Sequence, residues 1–299
     1  MRRCGKERLY FEIGPDNEVT FEVKAGEEFE VETQMNAGAW LDGDPQGPAL
    51  REKLSGRNPS SGCILVKGAS AGDMLTVHIG DITLNNVGFS QYRGNNGALP
   101  SWFGLSNIGE LYKKVEIRNN RIRWSSGLIL PARPMLGYVG VSPARERYHN
   151  GWAGAWGGNL DIQEVTTGAK LHLPVFVPGA RLQVGDMHAL QGDGEICGLG
   201  GVESAGVVRL RCELSPAPVS LRGPRLENET HLVAVGLGKP AEEAFRSALE
   251  DLILWLEEDY KLPRGEGYLL LGQVLEARCT QFVNPTFTYV AKIAKKYLH

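Results

Sequence analysis

Eleven consecutive residues carry the densest polar chemistry in the chain: Gly185-Asp186-Met187-His188-Ala189-Leu190-Gln191-Gly192-Asp193-Gly194-Glu195. Asp186 and His188 stand two apart, so on an extended segment they share a face. Asp193 and Glu195 are also two apart, and Gly192 and Gly194 let the backbone bend sharply beside them. An imidazole and carboxylates on one face can hold a divalent cation. A further carboxylate can then act as general base toward a water that the cation activates. A polar loop capped by carboxylates is the plainer alternative.

Other residues add to this. Gly157-Gly158-Asn159-Leu160-Asp161 again sets an amide and a carboxylate two apart. Cys197 follows Glu195 by two and is a candidate nucleophile, although its apolar and glycine neighbours equally suit an inert buried thiol. His78 and His172 lie between apolar residues of extended segments, and His149 and His231 lie near loops. A solvated or partner-covered face is the default reading of the first two, and His149 is the strongest candidate of the four to reach the site if the loop with Trp152 and Trp156 closes over it. Tyr148 to Trp156 sets two indoles among glycines, which reads either as an anchored surface loop or as a lid.

The elements that must position these residues read as mainly β, in layered or barrel-like sheets, with a C-terminal α+β portion. Val19, Phe21 and Val23, then Phe29 and Val31, alternate around Ala25-Gly26 and predict a hairpin. Asn119-Asn120 between two alternating runs predicts another. Strands are expected at 63–67, 74–79, 171–177, 207–213 and 230–236, and long loops at 41–60 and 88–110. Helix is expected only within 240–278: Pro240 opens the first, and Phe245, Leu249, Leu252 and Leu256 give its apolar stripe. A second, more buried helix is expected at Tyr268 to Ala277. Gly68-Ala69 to Gly72-Asp73-Met74 resembles Gly179-Ala180 to Gly185-Asp186-Met187. An internal duplication is one reading of this; turn chemistry that suits any pair of strands is the other. No linker divides residues 1–299, which are read as one unit, β-rich over 10–237.

The 299 residues carry a net charge of −3, which disfavours a nucleic-acid partner. No apolar run is long enough to span a membrane, and none follows the charged N-terminus as a leader would require. Five cysteines, an odd number without a CxxC pair, point to free thiols in a reducing cytoplasm.

Gly137-Tyr138-Val139-Gly140-Val141-Ser142-Pro143, the Gly157 to Asp161 segment, Leu173-Pro174-Val175 to Gly179-Ala180 and the Gly185 to Glu195 motif occur in an order and spacing that closely resembles the acetamidase/formamidase family. The resemblance extends from about 10 to 290. It implies hydrolysis of short amides to carboxylate and ammonia, a mainly β fold, metal association and a homodimer or higher homo-oligomer. One route on this chain is metal-assisted: Asp186, His188 and Asp161 are the candidate ligands of a divalent metal, zinc first and calcium as the alternative. In that route Glu195 is the general base, with Asp193 and His188 beside it in catalysis, and Asn159 and Gln191 are candidate substrate-binding residues. Met35-Asn36 stands where members often carry Asp, which makes Asn36 a candidate neutral ligand. Two other readings stay open: an amidase dependent on Cys197, and a non-catalytic β protein binding a metal or small ligand.

Overall fold

The computed structural model describes residues 1–36, 56–92, 97–105, 111–198 and 200–298. Two large sheets face each other. Among the described residues, one has nine strands, with Asp73–Leu84 and Gly206–Pro216 near its middle and Glu276–Gln281 at one edge; the other has twelve and includes Ser60–Lys67, Met135–Gly140, Gly157–Asn159, Leu182–Leu190 and Val202–Glu203. Phe29, Val31, Leu75, Val77, Leu171 and Leu210 of the first sheet meet Ile64, Val66, Leu136, Val139, Leu182 and Val184 of the second, all buried. The far side of the nine-stranded sheet is covered by the helices Ala241–Tyr260 and Arg264–Val274, where Ala248, Leu252, Trp255, Leu256 and Leu271 pack on Leu232, Ala234, Ala291 and Ile293. The order is therefore helix, sheet, sheet, as the expected β-rich chain with a C-terminal α+β portion requires.

Several local expectations need correction. Phe21–Lys24 and Glu28–Thr33 are both strands, but they do not pair. The first runs parallel to Ser60–Lys67 in the twelve-stranded sheet; the second pairs with Arg2–Cys4 and Gly206–Pro216 in the nine-stranded one. Alternation reports which residues face the core, and both strands face the same core from opposite sides. The second hairpin forms as read, with Asn119 and Asn120 at φ 52° and 57° and Ile117 opposite Ile122. Within the expected 88–110 loop, Val87–Tyr92 is a strand and Pro100–Leu105 a short helix. The part of the 41–60 loop before residue 56 lies outside the described residues. The second C-terminal helix begins earlier, at Arg264, and gives way to strand at Glu276. It is also more exposed than expected: Tyr268 and Leu269 retain 61% and 66% of their surface.

The two similar segments cross between sheets in opposite directions. Ser60–Lys67 leads through Gly68-Ala69 into Asp73–Leu84, and Lys170–Pro174 leads through Gly179-Ala180 into Leu182–Leu190. Each outgoing strand pairs with the other segment's incoming one. The turns also bond each other, Gly179 N–H to Ala69 O at 2.9 Å and Val66 N–H to Gly179 O at 2.9 Å. The likeness ends at the acidic residue. Asp73 caps its turn by accepting from Ser70 N–H at 2.8 Å, whereas Asp186 lies inside a strand. Among the described residues, no helix is long and apolar enough to cross a membrane.

Polar ties hold the nine-stranded sheet to its surroundings. Arg225, 2% exposed, makes a two-pronged contact to Asp251 at 2.9 Å on each arm and stacks over Trp255. Glu227 faces His172 at 3.8 Å, Lys295 at 2.7 Å and Lys170 at 2.9 Å. His172 foremost, then Lys295 and Lys170, hold the Glu227 carboxyl well below the usual carboxylate range, against the opposing effect of burial. A carboxylate depressed in the folded state stabilises above its unfolded value, near 4.5, and loses that effect as pH falls toward the folded value. Glu227→Gln is therefore expected to lower the melting temperature by a few degrees at pH 7. Melting curves of both proteins should converge as pH drops below about 4.5; a gap that stays constant down to pH 3 would contradict this.

Candidate active site

Alternation along Leu182–Leu190 breaks at one place. Leu182 and Val184 face the core, but so does Met187, three positions on. The neighbouring strand breaks at the same level, since Leu136 and Val139 both face the core. Leu136 pairs with Met187 and Tyr138 with Gly185, leaving Gly137 opposite Asp186, whose φ is 52°. The register is unbroken there, and the positive φ of Asp186 turns its side chain out of the core, onto the side where His188 lies. Asp161 and Glu195 also hold positive φ, 49° and 47°. Such conformations are disfavoured for residues with a Cβ and cluster at functional sites.

The result is a buried group of four carboxylates around one imidazole: Asp161, Asp186, Glu195 and Glu203 with His188, none more than 7% exposed. His188 Nε2 lies 3.5 Å from Asp186 Oδ1 and 3.5 Å from Glu203 Oε2. Ligand atoms of Asp161, Asp186 and His188 lie within 4.8 Å of one another. Asp161 Oδ1, Asp186 Oδ1, Glu195 Oε2, Glu203 Oε2 and His188 Nε2 have no hydrogen-bond partner. Among the described residues, no Lys or Arg pairs with any of the four acids. Two glycines clear the space. A Cβ on Gly137 would stand 2.5 Å from Asp161 Oδ1 and 2.6 Å from Asp186 Oδ2; one on Gly200 would stand 2.3 Å from Glu203 Oε1 and 2.9 Å from His188 Nε2.

Surrounding bonds fix these groups. Asn284 Nδ2 donates to Asp161 Oδ2 at 2.6 Å, and Gly200 N–H to Glu195 Oε1 at 2.7 Å. Gln191 joins its side-chain oxygen to His188 Nδ1 at 2.9 Å, while its Nε2 donates to Asp161 O at 3.0 Å and Thr280 O at 3.2 Å. Burial raises the Glu195 carboxyl to about 7, with Asp186 and Glu203 adding to the rise and His188 opposing it; burial likewise raises Glu203 to about 7. Burial and the neighbouring acids Glu195 and Asp186 push Asp161 up as well. The nearby acids push His188 up despite its burial. Two of the acids are thus poised to exchange protons near neutral pH. The donor set of imidazole nitrogen and carboxylate oxygen, with unpartnered atoms converging on a cleared space, fits a divalent cation.

The structure brings Asp161, Asp186, His188 and Glu195 together and adds Glu203, which lies opposite His188 in the strand pair. Only that long-range pairing reveals Glu203; nothing near it in sequence marks it. Asn284 was missed for the same reason. Asp193 stands apart from the group, on the surface, accepting from Arg278 at 2.8 Å and Gln163 at 3.2 Å. Asn159 Oδ1 accepts from Asn58 Nδ2 at 2.6 Å, in a second buried network with Asn150 and Ser60. Asn36 receives Asn58 N–H at 2.8 Å and so meets that network. Burial and the Glu195 carboxylate both push the Cys197 thiol up, which disfavours the thiolate a nucleophile needs. Residues Tyr148–His149 and Ala153–Gly154 are strands paired with Glu12–Ile13 and Gly157–Asn159, and Trp156 stacks on Tyr148 at 4.1 Å. His78, His172 and His231 face Glu213, Glu227 and Glu276, outside the group.

A two-sheet β protein with a buried carboxylate–imidazole centre is the class this geometry defines. Residues 153–286 match the model of the Acetamidase/Formamidase family. Over 58 residues the chain is 50% identical to a putative formamidase of Schizosaccharomyces pombe and 47% identical to an acetamidase of Mycolicibacterium smegmatis. That stretch is 19% of this chain and 14% of the length of either relative. The solved acetamidase of Bacillus halodurans superposes with a TM-score of 0.88 at 29% identity, covering 99% of this chain and 98% of that one. The acetamidase of Yersinia enterocolitica gives 0.89, also at 29%, covering 100% and 93%. A gamma lactamase from Delftia acidovorans, at 21% identity, 0.63 and coverage of 97% and 89%, shares the fold. Over these segments the chain is similar to members of the acetamidase/formamidase family, as its motifs indicated.

If Gly137 is glycine to leave room between Asp161 and Asp186, Gly137→Ala should fold normally by circular dichroism. It should bind zinc roughly tenfold more weakly or worse in a chelator competition. Unchanged affinity would contradict the packing argument.

Proposed function

We propose that the protein hydrolyses a short linear amide to carboxylate and ammonia with the help of a divalent cation. The observation that carries this is the concentration of four buried carboxylates around one imidazole with no Lys or Arg pairing them among the described residues. Four buried acids in contact cannot all ionise unless a positive charge joins them. Asp161, Asp186 and His188 would hold the cation. The imidazole donor favours zinc over calcium, which prefers an all-oxygen shell. Bound there, such an ion would supply Lewis-acid polarisation of the amide carbonyl and of the attacking water.

The protein's own groups do the rest. Glu195, buried beside the proposed ligands with Oε2 unpartnered, takes a proton from the attacking water. The same carboxyl then returns it to the amide nitrogen, so that the C–N bond breaks with ammonia rather than an amide anion as leaving group. The Gly200 N–H bond to Oε1 holds Glu195 in place and leaves Oε2 free to act. Asn284 holds Asp161 by one oxygen and leaves the other facing the site. The reading keeps a homo-oligomer in a reducing compartment: the five cysteines are free, and Leu111, Tyr112, Leu128 and Ile129 leave apolar surface exposed.

Turnover of formamide and acetamide, read as ammonia release with metal content checked in every protein, tests this. Asp186→Ala and His188→Ala should lose both bound metal and hydrolysis. Glu195→Gln should retain metal and lose ~10²–10⁴-fold in rate, while Cys197→Ala stays near the parent. The reverse order, with inactivation by iodoacetamide but not by chelators, would transfer the chemistry to Cys197. Metal retention without any ammonia release in the parent protein would make it a binding protein instead.

A further inference from the structure

We propose that Gln191 is a positioning residue that holds His188 in its Nδ1–H form, so that Nε2 alone faces the carboxylates. The orientation of the Gln191 amide follows from its partners. Two backbone carbonyls, Asp161 O at 3.0 Å and Thr280 O at 3.2 Å, lie at one end of it. Carbonyl oxygens only accept, so that end is the NH₂ group. The end facing His188 Nδ1 at 2.9 Å is therefore the oxygen, which also only accepts. Nδ1 must carry the hydrogen. In the neutral ring this leaves the lone pair on Nε2, the buried nitrogen 3.5 Å from both Asp186 and Glu203. The same amide ties three distant segments: the end of Leu182–Leu190, the Asp161 backbone and the edge strand Glu276–Gln281.

No other side chain of this length serves both ends. Glu would still accept from Nδ1 but would set a carboxylate against two carbonyls. Met would fill the space and make none of the three bonds. The consequence for ligation rests on the cation site proposed above; the state of the ring does not.

The test uses the full chain labelled with ¹⁵N-histidine, its His188 signals assigned by their loss in His188→Gln. In the metal-free protein, at a pH high enough that the ring carries a single proton, long-range ¹H–¹⁵N spectra should show that proton on His188 Nδ1, in the parent and in Gln191→Glu. In Gln191→Met that proton should exchange freely and its signal broaden or vanish. In protein loaded with ¹¹³Cd, the coupling should appear on Nε2, and zinc affinity of Gln191→Met should fall ~10–100-fold with an unchanged circular dichroism spectrum. An unprotonated Nδ1 in the metal-free parent, or cadmium coupled to Nδ1, would overturn the inference. If no cation binds at all, the cation reading fails on its own, and the metal-free spectra still decide the state of His188. Should Gln191→Met not fold, Gln191→Leu takes its place, and an Nδ1 proton as protected there as in the parent would overturn the inference.

Discussion

Crowding of negative charge is the constraint on which the rest depends. Asp161, Asp186, Glu195 and Glu203 come from different elements of the fold and converge, buried, on His188. Each carboxylate removed from water loses several kcal/mol of solvation unless something replaces it. The fold supplies only partial replacement: one N–H on Glu195, one amide on Asp161, and a shared imidazole. An unpartnered oxygen remains on each of the four acids, and Gly137 and Gly200 keep a Cβ away from Asp161, Asp186, Glu203 and His188. In the proposed reading a cation would complete that balance, and amide hydrolysis would draw on groups already in place.

The two sheets and their core serve this convergence. At Gly137 and Asp186 the alternation of two paired strands breaks at one level without a change of register, which turns a buried carboxylate away from the core. Positive φ at Asp161, Asp186 and Glu195 is a local cost that the surrounding sheet tolerates. The C-terminal strand at the edge of the nine-stranded sheet contributes Thr280 O and, just beyond it, Asn284. The centre is thus assembled across both sheets, and no single segment could form it.

Much of this was legible in the sequence. Asp186, His188 and Glu195 lie within one motif, and Asp161 within another, so short-range spacing and family resemblance together reached four of the five central groups. Glu203 and Asn284 could not be found that way, because only strand pairing and the edge strand bring them to His188 and Asp161. Asp193 shows the converse. It shares the motif, yet the turn at Gly194, φ 81°, separates it from Glu195 and leaves it on the surface with Arg278. The hairpin expected at 19–31 failed for a related reason: period-two alternation records burial, and two strands facing one core from opposite sheets alternate just as a hairpin does.

The most direct measurement is elemental analysis of the purified protein alongside ammonia release, before chelation, after it, and after zinc is restored. A bound divalent ion that leaves with the activity and returns with it is the expected result. Full ammonia release from protein stripped of divalent metal would contradict the claim that a cation balances the buried acids.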